Sequence, residues 1–269
     1  MSKNYTTEEL FPFKTDKFWE GDDGKHNGWN VLSKVFVSND GKKLVSELQK
    51  RYKNNETIFP AQKDIFRAFE LTPFEKVKVV ILGQDPYPDE RADGLCFSQK
   101  EKFGHRRDSL GVLFSKLKHY YSERGQEFND ENRTLDGWAE QGVLLLNTIL
   151  TVSGSGTSVR DKAGSHKKIG WKKLTKRVID SLLNSNKDVA FVLFGRHAVE
   201  LFNSVVSSEF IKDERGGAYK YMHYVLTNTN NQSRFYIVEY PHPVSHLFTE
   251  YSFPFDKYDL IKNINWRHH

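Results

Sequence analysis

Four short apolar runs along the chain have strand character: 77–83 (VKVVILG), 142–148 (GVLLLNT), 188–195 (DVAFVLFG) and 234–242 (RFYIVEYPH). The first three show no alternation of apolar and polar positions. A strand of that kind has both faces buried, as in a parallel sheet covered on both sides. Between them lie 109–123 (SLGVLFSKLKHYYSE), 170–185 (GWKKLTKRVIDSLLNS) and 196–206 (RHAVELFNSVV), whose apolar residues recur at the i, i+3, i+4 spacing of an amphipathic helix. Strands alternating with helices predict an α/β fold: a single domain with a central four-stranded parallel sheet, flanked by helices and joined by right-handed crossovers.

Upstream, 41–54 (GKKLVSELQKRYKN) predicts a helix with Leu44, Val45 and Leu48 on one face. Residues 59–73 carry a shorter helical pattern that ends at Pro73. Residues 1–40 scatter Phe11, Phe13, Phe18, Trp19 and Trp29 among charges. They read as an N-terminal arm packed on a catalytic domain of residues 41–269. The stretch 207–233 reads as irregular, with turns at Gly216-Gly217 and the Asn-rich run, and 221–227 open to being one more strand.

Hydrophobic residues make up 38% of the 269, enough for a sizeable core. The formal charge of +5 suits a polyanionic partner without requiring one. The lone cysteine, Cys96, rules out a disulfide within the chain and points to a reducing compartment. The first residues lack the basic-then-apolar order of a signal peptide, and the longest apolar run is too short to span a bilayer. The expectation is a soluble monomer, cytoplasmic or nuclear, with no membrane partner.

Ligands of open parallel sheets bind beyond the carboxyl ends of the strands. The first run is followed by Gln84-Asp85-Pro86-Tyr87, the second ends in Asn147-Thr148, the third in Gly195-Arg196-His197 and the fourth in Pro241-His242-Pro243. Taken singly, Asp85 reads as a turn residue, Asn147 as a cap and His242 as a loop histidine. Together at one sheet edge they predict a site. No second carboxylate stands at these ends to complete an O-glycosidase pair. No Cys/His cluster has metal spacing, and no phosphate loop, dinucleotide fingerprint or nucleophile elbow is present. Neither metal nor cofactor is expected. What remains is one carboxylate, one amide and one imidazole beside Tyr87 and Phe97, a set able to read a planar heterocycle.

The run 77–98 (VKVVILGQDPYPDERADGLCFS) closely resembles the water-activating motif of family-1 uracil-DNA glycosylases, in which a strand is followed by G-Q-D-P-Y-H and then G-L-C-F-S. LLLNTILTV followed by SHKKIGW resembles their uracil-reading strand and the helix after it. VLFGRHA resembles their strand and Gly-Ser loop, and HPVSHL a variant of their leucine loop. The motifs occur in the family's order over roughly residues 50–266.

The resemblance implies an enzyme that flips uracil from single- or double-stranded DNA and hydrolyses its N-glycosidic bond. Asp85 would activate the water and face the sugar, and His242 would meet charge building on uracil O2. Tyr87 would exclude a thymine methyl, Phe97 would stack on the ring, Asn147 would pair with its edge and Gln84 would add a backbone contact. Ser109, Ser165, Gly195, Ser245 and Leu247 would face DNA; Arg196, standing where the family's Gly-Ser loop has serine, could reach a phosphate; and a proteinaceous inhibitor would be a further partner.

Three departures from the family pattern stand out. Pro88 replaces the histidine after the tyrosine. His246 occupies the usual wedge position, leaving Leu247 as wedge through a one-residue insertion. Residues 100–110 (KEKFGHRRDSL) replace a proline-rich loop, putting Lys100, Lys102, Arg106 and Arg107 there, with Ser109 keeping a phosphate contact. A second basic stretch, 160–177, includes Lys172, Lys173, Lys176 and Arg177, either a DNA-facing stripe or the wet side of a helix. Ser165-His166 precedes that helix as a cap or as a contact to the DNA backbone. The competing readings are a DNA-binding relative with weak or redirected activity, and a nucleotide-binding α/β protein with no DNA role.

Overall fold

The computed structural model describes residues 28–100, 108–154, 162–218, 221–243, 245 and 254–269. In chain order the elements are α1 (Asn30–Val37), α2 (Asn39–Lys53), β1 (Ile58–Phe59), α3 (Arg67–Leu71), β2 (Val79–Gly83), α4 (Ser109–Ser122), α5 (Asp136–Glu140), β3 (Val143–Asn147), β4 (Val152–Ser153), α6 (Trp171–Leu183), β5 (Val189–Phe194), α7 (Arg196–Asn203), β6 (Phe210–Ala218), β7 (Tyr221–Asn228), β8 (Arg234–Tyr240) and α8 (Asp259–Lys262). Helix α2 runs unbroken through residue 40, and Ser38 caps it by accepting from the Gly41 N–H at 3.2 Å.

The sheet order is β3-β2-β5-β8-β7-β6. The four strands read from apolar runs, β2, β3, β5 and β8, pair in parallel, and the first three are buried at every residue. Burial on both faces explains why their sequences do not alternate. The sheet is nevertheless wider than expected. Residues 207–233 are not irregular: they supply β6 and β7, an antiparallel pair that continues the sheet beyond β8. The edge strand β6 carries charged Lys212 and Asp213, an exposed Ile211 and a register shift between Glu214 and Gly216. These features blunt an open edge and hide the strand pattern in the sequence.

Helices α1, α2 and α6 pack on one another, α7 lies on β2 and β5, and α3 and α5 lie on β3. Trp29, Trp138, Trp171 and Trp266 are fully buried in the core. Burying side chains of this class stabilises by about 1.5–3 kcal/mol each before the entropy of ordering is subtracted.

The chain leaves β2 for β3 on one side and later returns to β5 on the other. The carboxyl ends of β3, β2, β5 and β8 therefore lie in a row, with a topological switch point at β2. In open α/β sheets a crevice forms there.

Candidate active site

Gly83, the last residue of β2, pairs in register with Asn147, the last of β3. A Cβ at Gly83 would collide with Cys96 Sγ, lie 3.0 Å from Asn147 Oδ1 and 3.6 Å from the edge of the Phe97 ring. Three side chains thus converge on a position kept bare. Asn147 is 4% exposed. The loop beyond β2 is tied to the loop beyond β3: Thr148 N donates to Gly83 O at 3.0 Å, Ile149 N to Gln84 O at 3.0 Å and Thr148 Oγ1 to Gln84 O at 2.7 Å.

Phe97 adopts φ +66°, a left-handed conformation that a bulky residue holds only where its surroundings enforce it. Those surroundings are visible. Cys96 N donates to Leu145 O at 3.0 Å. The buried Asp93 carboxylate accepts from Leu95 N at 3.0 Å and from the Ser98 hydroxyl, and Ser98 Oγ in turn accepts from Leu135 N at 3.0 Å. Burial pushes the Asp93 carboxyl up to about 6, against the pull of Ser98, the Leu95 N–H and Arg67. The Phe97 ring meets Phe194 edge-on at 5.2 Å and lies 6.0 Å from the His242 ring, tilted by 52°.

His242 follows β8. Its Cβ would lie 3.1 Å from a Cβ on Gly195, which sits at φ +81° and donates its N–H to Tyr240 O at 2.8 Å. A side chain on Gly195 would crowd the imidazole. Burial, and secondarily the neighbouring His197, lowers the His242 pKa to about 4. The ring is uncharged at neutral pH.

Asp85 follows β2, and its carboxylate accepts the Gly164 N–H. Burial raises its pKa, while the Gly164 N–H, His197 and Gln84 pull it down in part. Tyr87 lies under the Arg91 guanidinium, 4.5 Å from the ring centre. Its hydroxyl is buried beside Gln99 and the Leu110 backbone, and burial followed by Asp108 raises its pKa. Pro88 is buried. Asp108 ties this corner together: it caps α4 through Gly111 N at 2.8 Å and pairs with Arg91 at 3.2 Å and Arg133 at 2.7 Å.

Asp85, Gln84, Phe97, Asn147, Gly195 and His242 are gathered at one sheet edge. Ser109 opens α4 beside Asp108, partly exposed. Arg196 is exposed beside Gly195 and pairs with Glu200 at 3.3 Å. Ser245 N donates to His242 O at 2.8 Å. Leu247, His246, Lys102, Arg106 and Arg107 lie outside the described residues.

One expectation about the second basic stretch changes. Neither Ser165 nor His166 caps α6, whose N-cap is Gly170 with no side-chain bond. His166 turns inward, 1% exposed, while Ser165 is an exposed residue whose Oγ accepts from Ser153 N at 2.8 Å. On α6, Lys173 pairs with Asp40 at 2.5 Å and Arg177 with Asp180 at 3.9 Å, both pairs at the exposed surface.

Three residues escaped the sequence reading: Gly83, which leaves room for the pocket; Gly164, which bonds Asp85; and His197, which acts electrostatically on both Asp85 and His242. Gly83 and His197 offered a signal, their strand-end positions; Gly164 offered none. Among the described residues, no group of three or more His, Cys, Asp or Glu comes together to hold a metal.

At the sheet's switch point an aromatic ring and an amide lie against a bare glycine, an arrangement that suits a flat heterocycle with polar edges. The fold and site therefore define the class of α/β proteins that seat a planar base at the carboxyl ends of parallel strands. A family model described as the Uracil DNA glycosylase superfamily matches residues 69–261. A uracil-DNA glycosylase of Bacillus pumilus (strain SAFR-032) is 38% identical over 216 residues, 80% of this chain and 79% of that protein. One from Bacillus subtilis (strain 168) is 42% identical over 171 residues, 63% of this chain and 71% of that protein. The chain belongs to the uracil-DNA glycosylase superfamily. Its fold is also that of the crystal structure of mimivirus uracil-DNA glycosylase, with a TM-score of 0.61 at 21% identity, covering 92% of this chain and 88% of that one.

Proposed function

We propose that the chain is a uracil-DNA glycosylase of the family-1 type, which extrudes uracil from DNA and hydrolyses its N-glycosidic bond to leave an abasic site. The observation that carries this reading is the convergence of Asn147, Phe97 and His242 on one crevice, with the Asp85 carboxylate on the adjoining strand end.

The chemistry asks little of proton transfer. As the bond from C1′ to N1 breaks, the sugar gains oxocarbenium character and uracil gains negative charge. Ionised Asp85 stabilises the first and orients the water whose oxygen bonds to C1′. Neutral His242 donates a hydrogen bond to the uracil oxygen as charge grows there. The water's protons end on the new sugar hydroxyl and, through solvent, on the departing uracil. Asn147 reads the edge of the base, Phe97 stacks on its face, Gln84 supplies a backbone contact, and Tyr87 occupies the space of a thymine methyl. Extruding the base costs a few kcal/mol. Contacts at Ser109, Ser165, Gly195, Arg196 and Ser245, with Leu247 as the wedge, offset that cost. The protein acts as a monomer in the compartment that holds the DNA. The mimivirus fold relatives solved in complex with UGI support extending the list of partners to a proteinaceous inhibitor.

The test is incubation with a uracil-containing oligonucleotide and a chelator, followed by alkali to cleave abasic sites. Cleavage is expected. Binding without cleavage favours the second reading, a DNA-binding relative with redirected activity, which the buried Pro88 motivates. Neither binding nor cleavage overturns both.

A further inference from the structure

We propose that Glu56 and His166 are positioning residues for Asp85, acting through the turn that carries Gly164. This rests on the functional reading above and names parts of its site that stand outside the crevice.

The geometry starts at Trp171. Its indole N–H, a donor only, bonds Thr151 Oγ1 at 2.7 Å. Thr151 Oγ1 lies 2.8 Å from His166 Nδ1, and His166 Nε2 lies 3.0 Å from Glu56 Oε1. Burial opposes ionisation of Glu56, but hydrogen bonds from His166 and Ser153 outweigh it and hold its pKa below the ordinary range. The carboxylate is therefore an acceptor only. Burial lowers the His166 pKa despite Glu56. A neutral imidazole then carries its one proton on Nε2, donates it to Glu56, and accepts the Thr151 hydroxyl proton on Nδ1. Every proton in the chain Trp171–Thr151–His166–Glu56 has one acceptor, so the ring can sit in only one orientation.

That orientation fixes the turn. Ser165, next to His166, is bonded to Ser153 of β4, and β4 pairs with β1, which begins two residues after Glu56. Two residues before His166, Gly164 sits at φ +67° and directs its N–H onto the Asp85 carboxylate. A Cβ at Gly164 would meet nothing closer than Lys167 Cδ at 3.8 Å and Gln84 Nε2 at 3.9 Å. The glycine is thus required by backbone conformation rather than by space.

The charged and polar groups acting on Asp85 are the Gly164 N–H from this turn, His197 from α7 and Gln84 beside it. Those acting on His166 are Glu56, the Thr151 hydroxyl and, from α2, Arg51. Release of the Gly164 N–H leaves burial less opposed, so Asp85 holds its proton to higher pH and faces the sugar with less charge at neutral pH.

The experiment compares wild type, Glu56→Ala, Glu56→Gln and His166→Phe. Two quantities are read: the acid limb of kcat/KM against pH, and the Asp85 carboxyl titration followed by carbon NMR. The second does not depend on activity, so it remains readable if no uracil is released, an outcome that overturns the functional reading alone. Glu56 is part-exposed, so Glu56→Ala is the variant that folds even if His166→Phe does not. Glu56→Ala is expected to move both midpoints upward by about half a pH unit or more, a threefold or larger change in the ionised fraction on the acid side. Glu56→Gln keeps an acceptor for Nε2–H and is expected to recover most of the shift. A folded Glu56→Ala with an unmoved Asp85 titration overturns the proposal, whatever its effect on overall rate or melting temperature. So does an equal shift in Glu56→Gln.

Discussion

The neutrality of His242 can be measured as stability. Burial and His197 lower its pKa from the ordinary 6.5 to about 4. A histidine depressed in the folded state stabilises fully above its unfolded pKa, and that stability is lost as pH falls toward the folded value. A fall from pH 7 to pH 5 lets the unfolded chain take the proton while the folded chain refuses it. With these two pKa values the loss is about 2 kcal/mol, of a possible total of about 3 kcal/mol.

Wild type alone will not show this. Asp93, raised to about 6, binds its proton more tightly when folded, and over the same interval it adds about 1 kcal/mol in the opposite direction. The perturbation that separates them is His242→Gln, which removes the titration but keeps a polar side chain of similar reach. The assay is urea unfolding of both proteins at pH 7 and pH 5. The drop in stability between the two pH values should be about 2 kcal/mol greater in wild type than in His242→Gln, roughly 1 M in urea midpoint at a slope near 2 kcal/mol/M. Equal pH dependence in the two proteins would refute a buried, uncharged His242 and remove the neutral donor from the mechanism.

Gly83→Ala drives a methyl group into Cys96 Sγ and against Asn147 Oδ1. It should cost about 1–3 kcal/mol of stability, by thermal unfolding, and suppress uracil release more than DNA binding. Ser98→Ala leaves the buried Asp93 carboxylate and the Leu135 N–H each short of a partner. It should destabilise by about 1–3 kcal/mol in urea and loosen the left-handed Phe97, seen as a weaker response of that ring to uracil. Tyr87→Ala opens the space assigned to a methyl group and should permit thymine release, measured chromatographically from a thymine-containing oligonucleotide that wild type leaves intact.

The four-stranded parallel core was legible because a short unbroken apolar run, bounded by polar turns, favours a strand buried on both faces. The helices were legible because their apolar spacing is periodic. The β6–β7 pair was not. Its edge strand exposes Ile211, places charges at Lys212 and Asp213 and shifts register, so it mimics a loop. Asp85, Asn147 and His242 could be found from the rule that ligands lie beyond strand ends. Gly164 and the Glu56–His166 pair could not. The two partners are 110 residues apart in sequence, and only tertiary packing brings the turn under Asp85. His197 follows Gly195 and Arg196 in plain view, yet its effect on both Asp85 and His242 depends on where α7 starts relative to two other strands.

The most direct measurement of the pocket is titration with free uracil, followed by NMR of the Asn147 side-chain amide, the Phe97 ring and the His242 imidazole. Saturable shifts at all three, without matching shifts on addition of thymine, are the outcome required by a cleft that holds one extruded pyrimidine. Silence at these groups, or uracil-dependent shifts confined to another face of the molecule, would contradict it.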